Sequence, residues 1–306
     1  MAALERVVAV LLLALVAIAP AGQAAELLDD KPRIAVVSAF QPEWLALRAD
    51  LAEGREHTIN GRTFVTGTLA GKDVVLFLSG VSMVNAAMTT QSALDRFSVT
   101  SVVFSGIAGG VDPALNIGDV VVADQWGQYL EAVFARETAD GFAIPPFMEE
   151  GEFDGFGMIV PRPVGVARDG ASGEEARFWF PSDPGLLEIA RKVAGELDLA
   201  ACAAENKCLS EKPKIVVGGN GVSGQAFVDN AAFREYVHAT FAAKVLDMES
   251  AAVAHVAYAN GVPFVAVRSL SDLAGGGEGA NEMATFMALA STNSANVVKA
   301  LLEKMP

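Results

Sequence analysis

Acidic side chains stand at three places where an apolar run gives way to a helix-like pattern, and that placement points to proton-transfer chemistry. Glu43 follows the run 33–38 in Ser38-Ala39-Phe40-Gln41-Pro42-Glu43. Asp247 and Glu249 flank Met248 after the run 244–246, and Asp272 closes Arg268-Ser269-Leu270-Ser271-Asp272 after 264–267. In a strand that continues, Asp247 and Glu249 share one side and Met248 takes the other. Paired carboxylates suit the hydroxyls of a sugar, and a methionine offers a polarisable floor beneath a ring. Asp272, just ahead of Ala274-Gly275-Gly276-Gly277, is placed to donate a proton. Each has a plainer reading too: Glu43 and Glu249 beside a helix dipole, Met248 in the core and Asp272 as a helix cap.

A fourth segment, Ser105-Gly106-Ile107-Ala108-Gly109-Gly110, reads as a glycine-dense turn after the buried run 102–105. Such a turn brings backbone amides against an anion or a sugar hydroxyl, with a merely tight turn as the equal alternative. It lacks the lysine of a phosphate-binding P-loop and the spacing of the dinucleotide fingerprint. Of the three histidines, His57 falls in a polar turn, His238 on a helix, and His255 in the apolar stretch 252–257, as a core residue. Cys202 and Cys208 are the only cysteines, which excludes a cysteine-rich zinc or iron–sulfur framework. The expectation is acid–base chemistry with no metal and no cofactor.

These positions need a frame. Apolar runs bounded by turn residues recur at 33–38, 74–79, 102–105, 120–123, 215–217, 244–246 and 264–267, several too uniformly apolar for a one-sided sheet. Helical spacing covers 84–97, 186–197, 231–241, 250–259 and 281–303. Strands alternating with helices predict a single α/β domain, with a mixed, mostly parallel central sheet flanked by helices. Ligands of such sheets sit at the carboxyl ends of strands, where the acids fall. Residues 129–184 break the rhythm with Pro145-Pro146, Pro161 and Pro163 among scattered aromatics, and read as an elaborated surface excursion.

The chain has 306 residues, 52% of them hydrophobic, which is enough for a substantial core. Its 22 Lys+Arg against 37 Asp+Glu give a formal charge of −15, an acidic surface that disfavours nucleic acid and anionic membranes and leaves a small molecule as the expected partner. Residues 1–24 read as a cleaved secretory signal: an apolar run at 7–19, Pro20, then Gly22-Gln23-Ala24. The run falls short of the roughly 20 residues that span a bilayer, so no stable membrane anchor is expected after cleavage. The mature domain then covers 25–306, exported, and periplasmic if the cell is Gram-negative. There Cys202 and Cys208 either pair or remain buried free thiols.

Taken with Ser79-Gly80-Val81-Ser82-Met83-Val84-Asn85, Gly118-Asp119-Val120-Val121 and Gly224-Gln225-Ala226-Phe227-Val228, these segments resemble the purine nucleoside phosphorylase and nucleosidase superfamily, closest to the methylthioadenosine/S-adenosylhomocysteine nucleosidases. The resemblance implies a nucleoside phosphorylase-like fold, a purine nucleoside as partner and a homodimer. It assigns Asp272, supported by Ser271, to the purine N7; Met248 and Glu249 to the ribose; and Phe227 and Val228 to the adenine. Ser105, Ile107, Ala108 and Gly109, with Asp247, complete the expected binding set, and Met283 would face a 5′-alkylthio group. Glu43 then activates water, which favours hydrolysis over phosphorolysis, since neither its loop nor 79–87 holds an arginine. Ile107, Gln225, the long excursion and the leader also resemble an exported subgroup related to plant bark and vegetative storage proteins, in which catalysis need not survive.

Overall fold

The computed structural model describes residues 26–148, 151–168, 170–203, 207–277 and 279–306; the expected leader lies outside them. The chain runs through β1 (Asp29–Ser38), α1 (Gln41–Arg48), β2 (Ala52–Ile59), β3 (Arg62–Leu69), β4 (Lys72–Leu78), α2 (Met83–Arg96) and β5 (Phe97–Gly110). Next come β6 (Val120–Val122), β7 (Gln125–Gln128), β8 (Ala132–Phe134), β9 (Arg136–Thr138), β10 (Gly141–Ala143), β11 (Ile159–Pro161), β12 (Val164–Val166), β13 (Glu175–Arg177) and β14 (Trp179–Pro181). It closes with α3 (Pro184–Ala194), β15 (Ile215–Val217), β16 (Asn220–Ser223), α4 (Ala231–Phe241), β17 (Ala243–Asp247), α5 (Ser250–Ala259), β18 (Phe264–Asp272) and α6 (Met283–Lys304).

Among the described residues, twelve strands form one mixed sheet. Parallel pairings of β1 with β4 and β5, and of β5 with β18, make its centre. Side chains alternate across a strand, so one apolar run feeds two cores. Ala35, Val37, Val102, Phe104 and Ala266 pack with the small residues of α2 and α5 on one face. Ile34, Val36, Val103, Val265 and Val267 pack on the other, against α1, α3 and α6. Asp183 and Asn230 cap α3 and α4, each side chain accepting a first-turn amide.

Three expectations need correction. Ser105-Gly106-Ile107-Ala108-Gly109-Gly110 is no turn: β5 continues through it, still paired with β18 and, at Gly109 and Gly110, with β17. Its glycines serve close approach, because a Cβ at Gly110 would lie 2.8 Å from Leu270 Cδ1 and one at Gly109 3.2 Å from Ala274 Cβ. Strand β18 likewise runs on to Asp272 with all nine residues buried, rather than ending at 267. Finally, β2 and β3 went unforeseen because β2 is an exposed edge strand of charged residues, AEGREHTI, without an apolar alternation to reveal it. The excursion is surface elaboration in antiparallel pairs (β8 with β11, β9 with β10, β12 with β13), but its last strand, β14, joins the main sheet beside β7.

Cys202 and Cys208 form a disulfide across a separation of six residues. Closing a loop of that size removes denatured-state entropy worth about 2 kcal/mol. Urea unfolding should therefore show the oxidised protein more stable than the reduced protein by about that amount; coincident curves would show that the bond contributes nothing.

Candidate functional site

A cavity of about 180 Å³ opens where β1, β5, β17 and β18 end, at the carboxyl edge where the sequence places the acids. Glu43, Ile107, Ala108, Gly109, Phe227, Val228, Asp247, Met248, Glu249, Ser271, Asp272 and Met283 all line it. Ser105 does not: it is wholly buried beneath β5, its hydroxyl 2.9 Å from that of Ser294. Gln225 lines a separate groove with Gln128 and His255. His255 is satisfied there by Gln128 and stacks on Phe180, as a core histidine would.

Glu43 is the third residue of α1 and reaches back over the helix start, half of a capping box. Its Oε2 accepts the amides of Ala39 and Phe40, and its Oε1 accepts the amide of Ile107, each at 2.9 Å. A carboxylate has about four lone-pair sites, so three amides leave one, on Oε1. Burial pushes its proton affinity above the ordinary value, against the pull of Arg268 and of the three amides.

Arg268 is the residue that sequence reasoning missed. It projects from β18 with no exposed surface, over the Phe104 ring at 4.0 Å. Its Nε donates to Ser250 Oγ at 2.9 Å and forms an ion pair with Asp247 Oδ2 at 2.7 Å, and one terminal nitrogen lies 3.7 Å from Glu249 Oε2. Both terminal nitrogens lack a hydrogen-bond partner among the described residues. Gly106 makes room for them: a Cβ there would collide with Nη1 and lie 3.0 Å from Glu43 Oε1. One charged residue in the otherwise apolar and small run 264–271 was the available signal.

Asp247 lines the cavity, and its carboxylate is heavily engaged within the protein. It accepts from Ser223 Oγ, Ser250 Oγ and the amides of Glu249 and Ser250, and it forms an ion pair with Arg268, so it also holds Arg268 and the start of α5. Glu249 keeps capacity: Oε1 accepts the Ser82 amide at 2.8 Å, and Oε2 lies 3.7 Å from Arg268 without a hydrogen-bond donor among the described residues. Burial first, then the charge of Asp247, push its carboxyl up to about 7. Asp272 sits at the other end, its Oδ2 accepting from Ser271 Oγ at 2.9 Å and its Oδ1 from the Ala274 amide at 2.8 Å. Burial raises it above the ordinary value as well. Phe227, 57% exposed, stands at the rim with a free ring face, and Met248 and Met283 supply apolar wall. Two acids flanking a buried cation, a third acid whose proton affinity burial raises and an aromatic rim can bind a hydroxylated, planar ligand and move protons at two ends of it.

A family model described as "Phosphorylase superfamily" matches residues 33–303. The 5′-methylthioadenosine/S-adenosylhomocysteine nucleosidase of Halalkalibacterium halodurans is 30% identical over 276 residues, covering 89% of this chain and 99% of the relative. That of Marinomonas sp. is 31% identical over 271 residues, covering 88% and 98%. Among solved structures, the nucleosidase of that name from Neisseria meningitidis, in complex with methylthio-immucillin-A, is 25% identical with a TM-score of 0.66, covering 89% and 99%. The Helicobacter pylori D198N variant with 5′-methylthioadenosine in its active site shares the fold at a TM-score of 0.67, with 23% identity and 89% and 99% coverage.

The neutral form of Glu249 persists to about pH 7 in the folded protein but only to its ordinary 4.5 in an unfolded chain. As pH rises through that window the unfolded state loses its proton first, so this residue subtracts stability progressively from about 4.5 to 7 and no further above. Glu249→Gln does not titrate. The unfolding free energy of the variant minus that of the parent should therefore grow across the window and then level off; a pH-independent difference would show Glu249 ionised throughout.

Proposed function

The chain belongs to the phosphorylase superfamily and, within it, to the 5′-methylthioadenosine/S-adenosylhomocysteine nucleosidases, and from that premise we propose how its own residues do the chemistry. The reaction is hydrolysis of the N-ribosidic bond of a purine nucleoside, 5′-methylthioadenosine, S-adenosylhomocysteine or a related adenine nucleoside, to free base and sugar. The observation that carries the mechanism is Glu43 in the cavity wall with one lone pair open, opposite Asp272 and with the Arg268 guanidinium buried behind it.

Breaking the bond sends its electron pair to the base and leaves oxocarbenium character on the sugar. Asp272, whose proton affinity burial raises, gives its proton to the departing purine. The attacking water forms the new bond to the sugar carbon and loses its proton to the open position on Glu43. A base whose proton affinity is raised by burial accepts that proton more readily than an ordinary carboxylate. Glu249 accepts the ribose hydroxyls through Oε2, Met248 lies beneath the sugar, and the purine stacks on Phe227 beside Val228. Phosphate is a poor alternative to water here, since Glu43, Asp247 and Glu249 surround the single cation and would repel a second anion.

We also propose that the protein is exported after loss of residues 1–24, periplasmic in a Gram-negative cell, and acts as a homodimer. The disulfide supports the first, being at home in an oxidising compartment. The second draws support from Val81, Val84 and Met88, exposed along one face of α2 and its approach. The leader, Ile107, Gln225 and the excursion support kinship with the exported storage-protein subgroup, with catalysis retained.

The purified protein should release adenine from 5′-methylthioadenosine in phosphate-free buffer, and Glu43→Gln should suppress that release while adenine still binds. Asp272→Asn keeps the shape without the proton and should lower turnover by about 10² to 10⁴. Release that requires phosphate, yields a sugar 1-phosphate and ignores Glu43→Gln would overturn the hydrolytic mechanism.

A further inference from the structure

Helix α6 carries, in the middle of an apolar face, three fully buried polar side chains that the mechanism above leaves unused: Ser291, Asn293 and Ser294. Asn293 has a local task. Its side-chain amide brackets Ala200, accepting its N–H at 2.9 Å and donating to its carbonyl at 3.0 Å, and so ties down the chain ahead of the disulfide. Ser294 is engaged elsewhere. Its Oγ donates to Val267 O at 3.0 Å, accepts the Gly106 amide at 3.0 Å, and meets Ser105 Oγ at 2.9 Å. A hydroxyl has one proton and two lone pairs, and here all three are in use.

The partners of that hydroxyl are what matters. Gly106 precedes Ile107, whose amide holds Glu43 Oε1, and Val267 precedes Arg268. The parallel register pairs Ser105 with Val267 and Gly106 with Arg268, so a single hydroxyl spans the two strands one step before each member of the Glu43–Arg268 couple. Gly106 has no side chain with which to resist a shift, and Arg268 presses against it from one side. The bond from its amide to Ser294 therefore restrains it against displacement away from α6.

We propose that Ser294 is a positioning residue for catalysis: from α6 it fixes the Gly106-Ile107 backbone against β18, and so sets the Ile107 amide on Glu43, the acceptor of the water proton. The proposal rests on the hydrolytic reading. Phe227 and Glu249 lie outside β5 and β18, and Asp272 stands at the far end of β18, held there by Ser271 and the Ala274 amide, so loss of the hydroxyl acts on turnover and spares binding.

The test compares Ser294→Ala, Ser294→Cys and Asn293→Ala with the parent in phosphate-free buffer. Adenine release from 5′-methylthioadenosine is followed, and active sites are counted by the stoichiometry of adenine binding so that unfolded protein does not dilute kcat. Ser294→Ala is expected to lose roughly 10- to 100-fold in kcat per binding site, as sub-ångström misplacement of a catalytic group does, with KM and adenine affinity within about twofold of the parent. Asn293→Ala, equally buried on the same helix, is expected to lower the melting temperature and leave kcat per site unchanged. Should the alanine form not fold, Ser294→Cys, of similar size with weaker hydrogen bonds, is read by the same criterion. Parental kcat per site in the folded Ser294 variant overturns the proposal, as does an equal loss in Asn293→Ala, which would mark a general effect of loosening α6. An inactive parent would refute the hydrolytic reading itself, a separate outcome.

Discussion

A guanidinium with no exposed surface is the constraint around which this site is built. Burying an unpaired charge costs far more than any single contact returns, so Arg268 dictates its neighbours. Asp247 gives up its remaining acceptor capacity to the serines and amides that hold it in place, Phe104 lies flat beneath the cation, and residue 106 has to be glycine. The helix α5 starts where it does because Asp247 accepts the amides of Glu249 and Ser250, so the same carboxylate that neutralises the arginine also orients Glu249 toward the cavity. Two terminal nitrogens remain without a hydrogen-bond partner among the described residues, buried behind Glu43 and Glu249, and their charge acts on the site through those carboxylates.

One cation for three surrounding acids leaves the cluster short of positive charge, and the shortage appears where the chemistry uses it. Asp247 holds the closest contact with Arg268. Burial first, and then repulsion from Asp247, drive Glu249 up to about 7 against an Arg268 that lies 3.7 Å away, and burial drives Glu43 in the same direction. Burial raises Asp272 as well, but there it stands apart from the cation, supported only by a hydroxyl, an amide and the side chain of Asn281. Two different environments thus yield an acceptor at one end of the cavity and a donor at the other, which is how carboxyl groups of ordinary acidity divide acid and base roles at one pH.

The sequence made the frame and three of the acids legible because both rest on strong local signals. Runs such as 215–217 and helices such as 231–241 and 250–259 coincide with β15, α4 and α5, and an acid after a buried run marks a carboxyl edge whatever the tertiary details. Glycine is where local reading failed. Gly106, Gly109 and Gly110 look like a turn by composition, but they are absent side chains, demanded by Arg268, Leu270 and Ala274 in and just after a strand more than 150 residues later. Ser105 stands away from the cavity for the same reason: whether a polar group faces a ligand or a neighbour depends on partners such as Ser294 of α6 that no local window contains.

Backbone amides carry much of the site, and that bears on Ile107 and Gln225. Glu43 is held by the amides of Ala39, Phe40 and Ile107, Glu249 by that of Ser82, and Asp272 by that of Ala274. A main-chain donor is indifferent to the side chain attached to it, provided the strand path is kept. Isoleucine at 107 therefore holds Glu43 through its amide while its side chain gives the cavity an apolar wall beside Met248 and Met283. Gln225 lines the separate groove beside His255. Neither side chain removes a support of the three carboxylates, because those supports are backbone, one buried arginine and the hydroxyl of Ser294 behind them.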